Sequence, residues 1–329
     1  MTTRDRINEY FNGRPFMLLS ALVLVAVAVV ALSMGVKPIQ VQGSGFFFQH
    51  QGSLMGEGGL STVVNVSCLL ITGFIMLAVN KVFNYVRSVT HLFVSAFFLL
   101  QAAHPAALLT FNVGTLMCLV TALTLLPMYA SYQDHHAQRS IFLIFAMLTA
   151  GGMFHYGFLM LIPAYLLGFI NMRVFDLKGF CAMLIGVVTP IWIVMGLGFA
   201  KPADFVPPQV YGIWTMPNQA QVHLLAALGL ATASLGIILA VMNLFTIMNY
   251  RMQTRVYNIT LVIILVLMTI AMCLNYRDMT VYMPLLNLMV AVQVAQAHTL
   301  HTANSRRHVF LFLLIAVCLG FAATSLMMP

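Results

Sequence analysis

The stretch SIFLIFAMLTAGGMFHYGFLMLIPAYLLGFINM, residues 140–172, runs for 33 residues without a formally charged side chain and is bracketed by Arg139 and Arg173. A membrane-spanning helix needs roughly 20 apolar residues. The stretch is therefore too long for one ordinary crossing and too short for two full crossings with a turn. Basic flanks place both of its ends on the cytoplasmic side. An even number of crossings follows. The simplest arrangement is a short helical hairpin over 140–172. Its Gly-rich tip, Gly151-Gly152-Met153-Phe154-His155-Tyr156-Gly157, then stops within or near the outer face.

The rest of the chain agrees with a membrane setting. It is 61% hydrophobic and 7% charged, with a mean hydropathy of +0.97. A soluble domain carries about 25% charged residues, so a water-soluble protein is excluded. The pI near 9.4 comes from basic residues dispersed between apolar runs. Such charges set topology, and they give no reason to expect a nucleic-acid partner.

The pattern divides into about 11 apolar segments, near 16–34, 60–80, 88–102, 106–130, 140–152, 157–172, 179–200, 222–249, 257–274, 279–298 and 308–327. With the N-terminus inside, 12 of the 15 basic residues fall in cytoplasmic stretches and only Lys37, Lys201 and Arg277 fall outside. A wrong segment count would scramble that bias, so the ratio tests the count as well as the orientation. The C-terminus is then outside. The first segment is read as a retained span, because its apolar core from Phe16 to Met34 exceeds the roughly 7–15 residues of a secretion-signal core. The expected fold is an all-α integral membrane protein of about 11 transmembrane or partly spanning helices. Residues 1–329 form one polytopic domain, with outer loops near 35–59 and 201–221. Compact loops and the charge bias point to a bacterial inner membrane.

Five cysteines all lie within or at the ends of apolar segments, without metal-ligand spacing. They read as buried thiols acting as small hydrophobes. Asp134-His135-His136 has metal-binding residue types, but on a short solvated loop it reads as polar linker. The chain has no Gly-rich phosphate loop, nucleotide motif or zinc signature, so no cofactor is evident. His298, His301, Arg306, Arg307 and His308 form a basic inner cluster suited to anionic lipid headgroups. The outer loops mix glycines or prolines with aromatics, which suits packing along the interface; a lid over an outward-facing cavity is the functional alternative.

Polar residues inside spans are costly in hydrocarbon. Gln293 and Gln296 are three apart and share a helix face with the bundle. They read first as helix–helix glue, as do Asn65 and Asn112. Gly229, Ala233 and Gly236 form a close-packing face.

Glu57, His104, His155, Tyr156, Asp204, Arg277 and Asp278 all fall near the outer face in this topology. A carboxylate with a histidine can act as general base or hold a metal. Arginine suits phosphate oxygens through its planar fork. His155 has a plainer role open to it, capping the tight turn through a backbone hydrogen bond.

The run Phe154-His155-Tyr156-Gly157-Phe158-Leu159-Met160-Leu161-Ile162-Pro163-Ala164-Tyr165-Leu166-Leu167 resembles the hairpin of some polysaccharide polymerases: a short helix, an FH turn and an apolar helix with proline. It also resembles the GT-C class of polytopic glycosyltransferases. That resemblance implies a polyprenyl-phosphate-linked glycan as ligand and, if the chain is active, a catalytic carboxylate and a divalent metal. The class carries acids in the first outer loop. Here that loop has glutamines and His50, and its one acid, Glu57, takes the catalytic place with His155. Arg277, Asp278, Tyr156, His104 and Asp204 are then the substrate-binding candidates.

Three readings stand. The chain is a glycosyltransferase or glycan polymerase of the envelope, handling lipid-linked sugars at the outer face. Or it is a non-catalytic subunit or scaffold bound to a protein partner in an envelope complex. Or it is a lipid or solute transporter. No apolar segment holds an acidic or basic residue near its centre, which speaks against ion-coupled transport.

Overall fold

A computed structural model describes residues 9–37, 42–51, 54–56, 58–86, 90–134, 136–217, 220–300 and 306–327. The described chain is almost wholly helical. The helices are α1 (Arg14–Ser33), α2 (Gly59–Phe83), α3 (Leu92–Ala102), α4 (Val113–Ala130), α5 (Gln138–Phe154), α6 (Ile162–Asn171), α7 (Leu177–Gly196), α8 (Ala220–Ile247), α9 (Met252–Leu274), α10 (Met279–Leu300) and α11 (Arg306–Met327). Each apolar segment of the sequence overlaps one of them. Eight stretches are long and apolar enough to cross a membrane. Leu92–Ala102, Gln138–Phe154 and Tyr156–Asn171 are apolar but shorter. Local signals set the boundaries. Asn112 caps α4 by accepting from the Thr115 N–H (3.0 Å), and Asp176 caps α7 by accepting from Gly179 (2.6 Å). Asn84 closes α2 in the left-handed region.

The core is built around α10, whose side chains are buried from Met279 to Gln296. It packs on α3, α4, α8 and α9. Gly229 and Gly236 let α8 approach closely. A Cβ on Gly229 would meet Met272 and Met283, and one on Gly236 would meet Val290 and Leu265. The glutamines act as glue. Asn243 donates to the carbonyl and Oε1 of Gln293 (2.9 and 3.1 Å), Gln296 donates to Asn258, and Asn258 donates to the Tyr85 carbonyl (2.9 Å). α7 lies at the periphery against α5, with only Gly179 and Gly186 buried. That position overturns one expectation about the thiols. Cys118 and Cys318 are buried, but Cys181 on α7 is exposed. All five are free.

The fourth apolar segment is not a continuous helix. After Ala102 the chain breaks at His104, makes a short helix at Pro105–Leu108 and runs on to Asn112. Hydrocarbon tolerates such backbone only where the protein satisfies its polar groups. It does so here. Asn65 donates to the carbonyls of Ala107 and Leu108 (3.1 and 3.0 Å), and Thr62 donates to that of Leu109 (2.9 Å). Asn287 reaches Leu100 from α10 (3.3 Å).

Connections gather at two ends. At one end Phe48 N–H donates to Met153 (3.1 Å), Leu54 to Phe111 (2.9 Å), Val206 to Phe46 (3.2 Å) and Tyr276 to Tyr211 (2.9 Å). These are the stretches the charge pattern assigns to the outside. At the other end Thr90 donates to Asn12 (2.6 Å), and Tyr257 donates its hydroxyl to the Tyr129 carbonyl (2.8 Å) while the two rings stack at 4.1 Å.

Candidate functional site

The hairpin tip is positioned by α5. Its 17 residues reach about 25 Å at 1.5 Å per residue. The helix ends at Phe154, His155 turns extended, and a 3-10 turn at Tyr156–Leu161 leads into α6. His155 Nδ1 accepts from the Gly157 N–H (2.9 Å), the plainer of its two expected roles. Nδ1 thereby spends its lone pair, so the neutral ring carries its proton on Nε2. That nitrogen lies 3.3 Å from Asp278 Oδ2, within charge-pairing distance but off the line a hydrogen bond needs. Both residues are buried.

Asp278 closes the 3-10 turn Tyr276–Asp278 before α10. Asn275 donates to Asp278 Oδ2 (2.6 Å). Tyr282, one helical turn beyond Asp278, sets its ring edge-on to His155 at 6.0 Å. Gly157 is needed between them: a Cβ would stand 3.0 Å from the Tyr282 ring and 2.9 Å from His155 Nδ1. Asp278 Oδ1, Asn275 Oδ1 and His155 Nε2 are buried without hydrogen-bond partners. Such atoms cost about 1–3 kcal/mol each when left unmet, so the pair is open to a ligand that both donates and accepts, such as a hydroxyl.

Two loops cover this turn. Residues 42–51 form a short antiparallel hairpin, with strands β1 (Gln42–Ser44) and β2 (Gln49–Gln51) and Gly43 opposite His50. Its tip leans on α5. Phe46 and Phe48 donate to Gly152 and Met153 (3.3 and 3.1 Å), and Phe48 stacks on Phe154 at 5.2 Å. The second loop crosses the first at Val206, which donates to Phe46 and accepts from the Tyr156 hydroxyl. Farther on, Arg277 lies over the Tyr211 ring at 3.7 Å. Stacking uses the face of the guanidinium and leaves in-plane N–H groups for oxygen ligands.

Of the residues expected at the site, His155 and Asp278 meet directly, and Tyr156 and Arg277 join them through the second loop. Asp204 instead caps its own turn by accepting from the Lys201 N–H (2.8 Å). His104 is buried at the break between the third and fourth apolar segments. Glu57 lies outside the described residues. Asn275, Tyr282 and the Val206 carbonyl escaped the sequence reading. Only Tyr282 left a signal, its spacing of four from Asp278. Among the described residues the donor set does not fit the divalent metal that the resemblance implies. Asp278 is its one carboxylate among the described residues; His155 Nδ1 is taken up by the Gly157 N–H, and Nε2, carrying the proton of the neutral ring, has no lone pair to give a metal. Among the described residues no group of three His, Cys, Asp or Glu side chains stands at metal-holding distance.

No family model, no curated protein and no solved structure matches this chain.

Proposed function

We propose that the protein lies in the inner membrane of a bacterium with about 11 transmembrane or partly spanning helices, N-terminus inside and C-terminus outside, and acts at the outer face as a glycosyltransferase or glycan polymerase on polyprenyl-phosphate-linked sugars. The observation that carries this reading is the buried His155–Asp278 pair with its unmet polar atoms. Its two members are 123 positions apart in sequence, and an ionisable pair inside a membrane protein marks a functional site before it marks a structural one. Asp278 Oδ1 is placed to accept the proton of an acceptor hydroxyl. The hydroxyl oxygen then bonds to the anomeric carbon as the sugar–phosphate bond breaks, and the bonding pair leaves with the phosphate. His155 Nε2–H stabilises the carboxylate. Arg277, exposed beside the site, meets the phosphate charge. Substrate enters when the crossing at Val206 opens.

The test compares lipid-linked saccharides, extracted from membranes and measured by mass spectrometry, between cells carrying the protein and cells carrying Asp278→Asn at equal protein level. Loss of a saccharide in the variant supports the reading. An unchanged profile rejects it.

A second reading, a non-catalytic subunit holding a protein partner, draws on a different observation. Nδ1 of His155, the Tyr156 hydroxyl and Asp204 all bind backbone groups of the chain itself and hold its loops in place. Co-purification of a stoichiometric partner, together with unchanged saccharides in Asp278→Asn, favours it.

A further inference from the structure

The loop that crosses Val206 has two different sides. Inward, Val206 binds Phe46 and Tyr156, Tyr211 carries Arg277, and Ile213 packs on the core. Outward, Phe205, Val210 and Trp214 are exposed. Residues 205–217, FVPPQVYGIWTMP, hold no charged side chain. An uncharged, aromatic stretch that is exposed in water is costly; one seated at a membrane surface is not. Pro207, Pro208 and Pro217 add to the fit. Proline has no N–H, so the segment brings fewer backbone donors into a poorly hydrated zone. The Trp214 ring packs against Gly212, where a Cβ would come within 2.2 Å of it, and the residue is still exposed.

The neighbouring surface says what covers this side. The loop follows α7 in the chain; that helix is exposed along most of its length, Trp192 included, and Leu197 and Phe199 just past its end are exposed too. It is a helix long and apolar enough to cross a membrane. We propose that the segment from Phe199 to Trp214 is an interfacial clasp. Its outward side chains seat in the headgroup region of the outer leaflet, and the Val206 backbone holds the hairpin tip. The lipid surface thus acts on the covering of the His155–Asp278 site, and a lipid-linked substrate meets the clasp as it arrives sideways from the leaflet. The inference rests on the membrane topology and stands whether or not the site is catalytic.

The chain has two tryptophans, Trp192 at 76% exposure and Trp214 at 74%, so single-tryptophan variants are direct reporters. Trp192→Phe leaves Trp214, and Trp214→Phe leaves Trp192. Both are reconstituted in phospholipid vesicles brominated either near the headgroup or deep in the chains. Trp192 quenching verifies insertion. With insertion verified, the clasp requires Trp214 to be quenched by bromine, more strongly by the shallow lipid than by the deep one. Quenching by aqueous iodide without bromine quenching puts the loop in water and overturns the proposal. Quenching by neither reagent means that protein covers the loop, and overturns it equally.

Discussion

The Tyr156 hydroxyl donates to the backbone carbonyl of Val206, joining the tip of the α5–α6 hairpin to a loop 50 residues farther along the chain. Val206 also donates to Phe46, so one residue of the second loop ties the hairpin tip to the first loop. Tyr156→Phe removes the donor and keeps the ring. It is expected to cost about 1 kcal/mol of stability and to speed proteolytic cutting within 201–217. Limited proteolysis in detergent at matched protein concentration reads both effects against the parent protein.

Gly45 is the tightest point of the covering. A Cβ there would stand 1.9 Å from the Met153 carbonyl oxygen, and backbone cannot yield as a flexible side chain can. Gly45→Ala is expected to lift the 42–51 hairpin from α5 and to lower the melting temperature, by an overpacking cost of about 1–3 kcal/mol. Gly35→Ala is the control for added bulk, since among the described residues no atom lies within 4 Å of a Cβ there, although its positive φ brings a strain of its own. Differential scanning fluorimetry should rank Gly45→Ala below it.

The polar bridges of α10 are structural in this account. Gln296→Leu leaves the Asn258 oxygen without its donor in a buried site. Interhelical hydrogen bonds in membranes average about 0.6 kcal/mol, and an orphaned acceptor adds to that loss. The variant should melt earlier and leave the saccharide profile unchanged. A changed profile at equal protein level would move this cluster into the site.

Topology has its own test. With the native cysteines replaced, a cysteine at the exposed position Asp204 should react with a membrane-impermeant thiol reagent added to intact cells. One at the exposed position His136 should react only after the cells are opened. The reverse pattern would invert the orientation.

The helices were legible because hydrocarbon demands long apolar runs, and charged residues punctuate them. The hairpin at 140–172 was legible from length and flanking charge alone, and the parity of crossings placed His155 and Asp278 on one side. Their contact was not legible, since nothing in 33 apolar residues says which neighbour the tip touches. The strands at 42–51 left no signal either. Gln42-Gly43-Ser44 and Gln49-His50-Gln51 show no apolar alternation, and tertiary contacts of Gly45, Phe46 and Phe48 with α5 hold that hairpin. The break after Ala102 was marked by His104-Pro105, but its stabilisers, Asn65 and Thr62, sit some 45 residues earlier. Cys181 was misjudged because an apolar helix facing lipid and one facing the core have similar compositions.

In the proposed function Asp278 Oδ1 accepts a proton from a substrate hydroxyl. Asp278→Asn keeps the size of the side chain and removes its basicity. The decisive measurement is the mass-spectrometric profile of lipid-linked saccharides from membranes holding equal amounts of parent and variant protein, with melting temperatures recorded in parallel. The expected result is loss of a glycan product in a variant that still folds. A folded Asp278→Asn protein with an unchanged saccharide profile contradicts it and leaves the His155–Asp278 pair as a fastener of the outer loops.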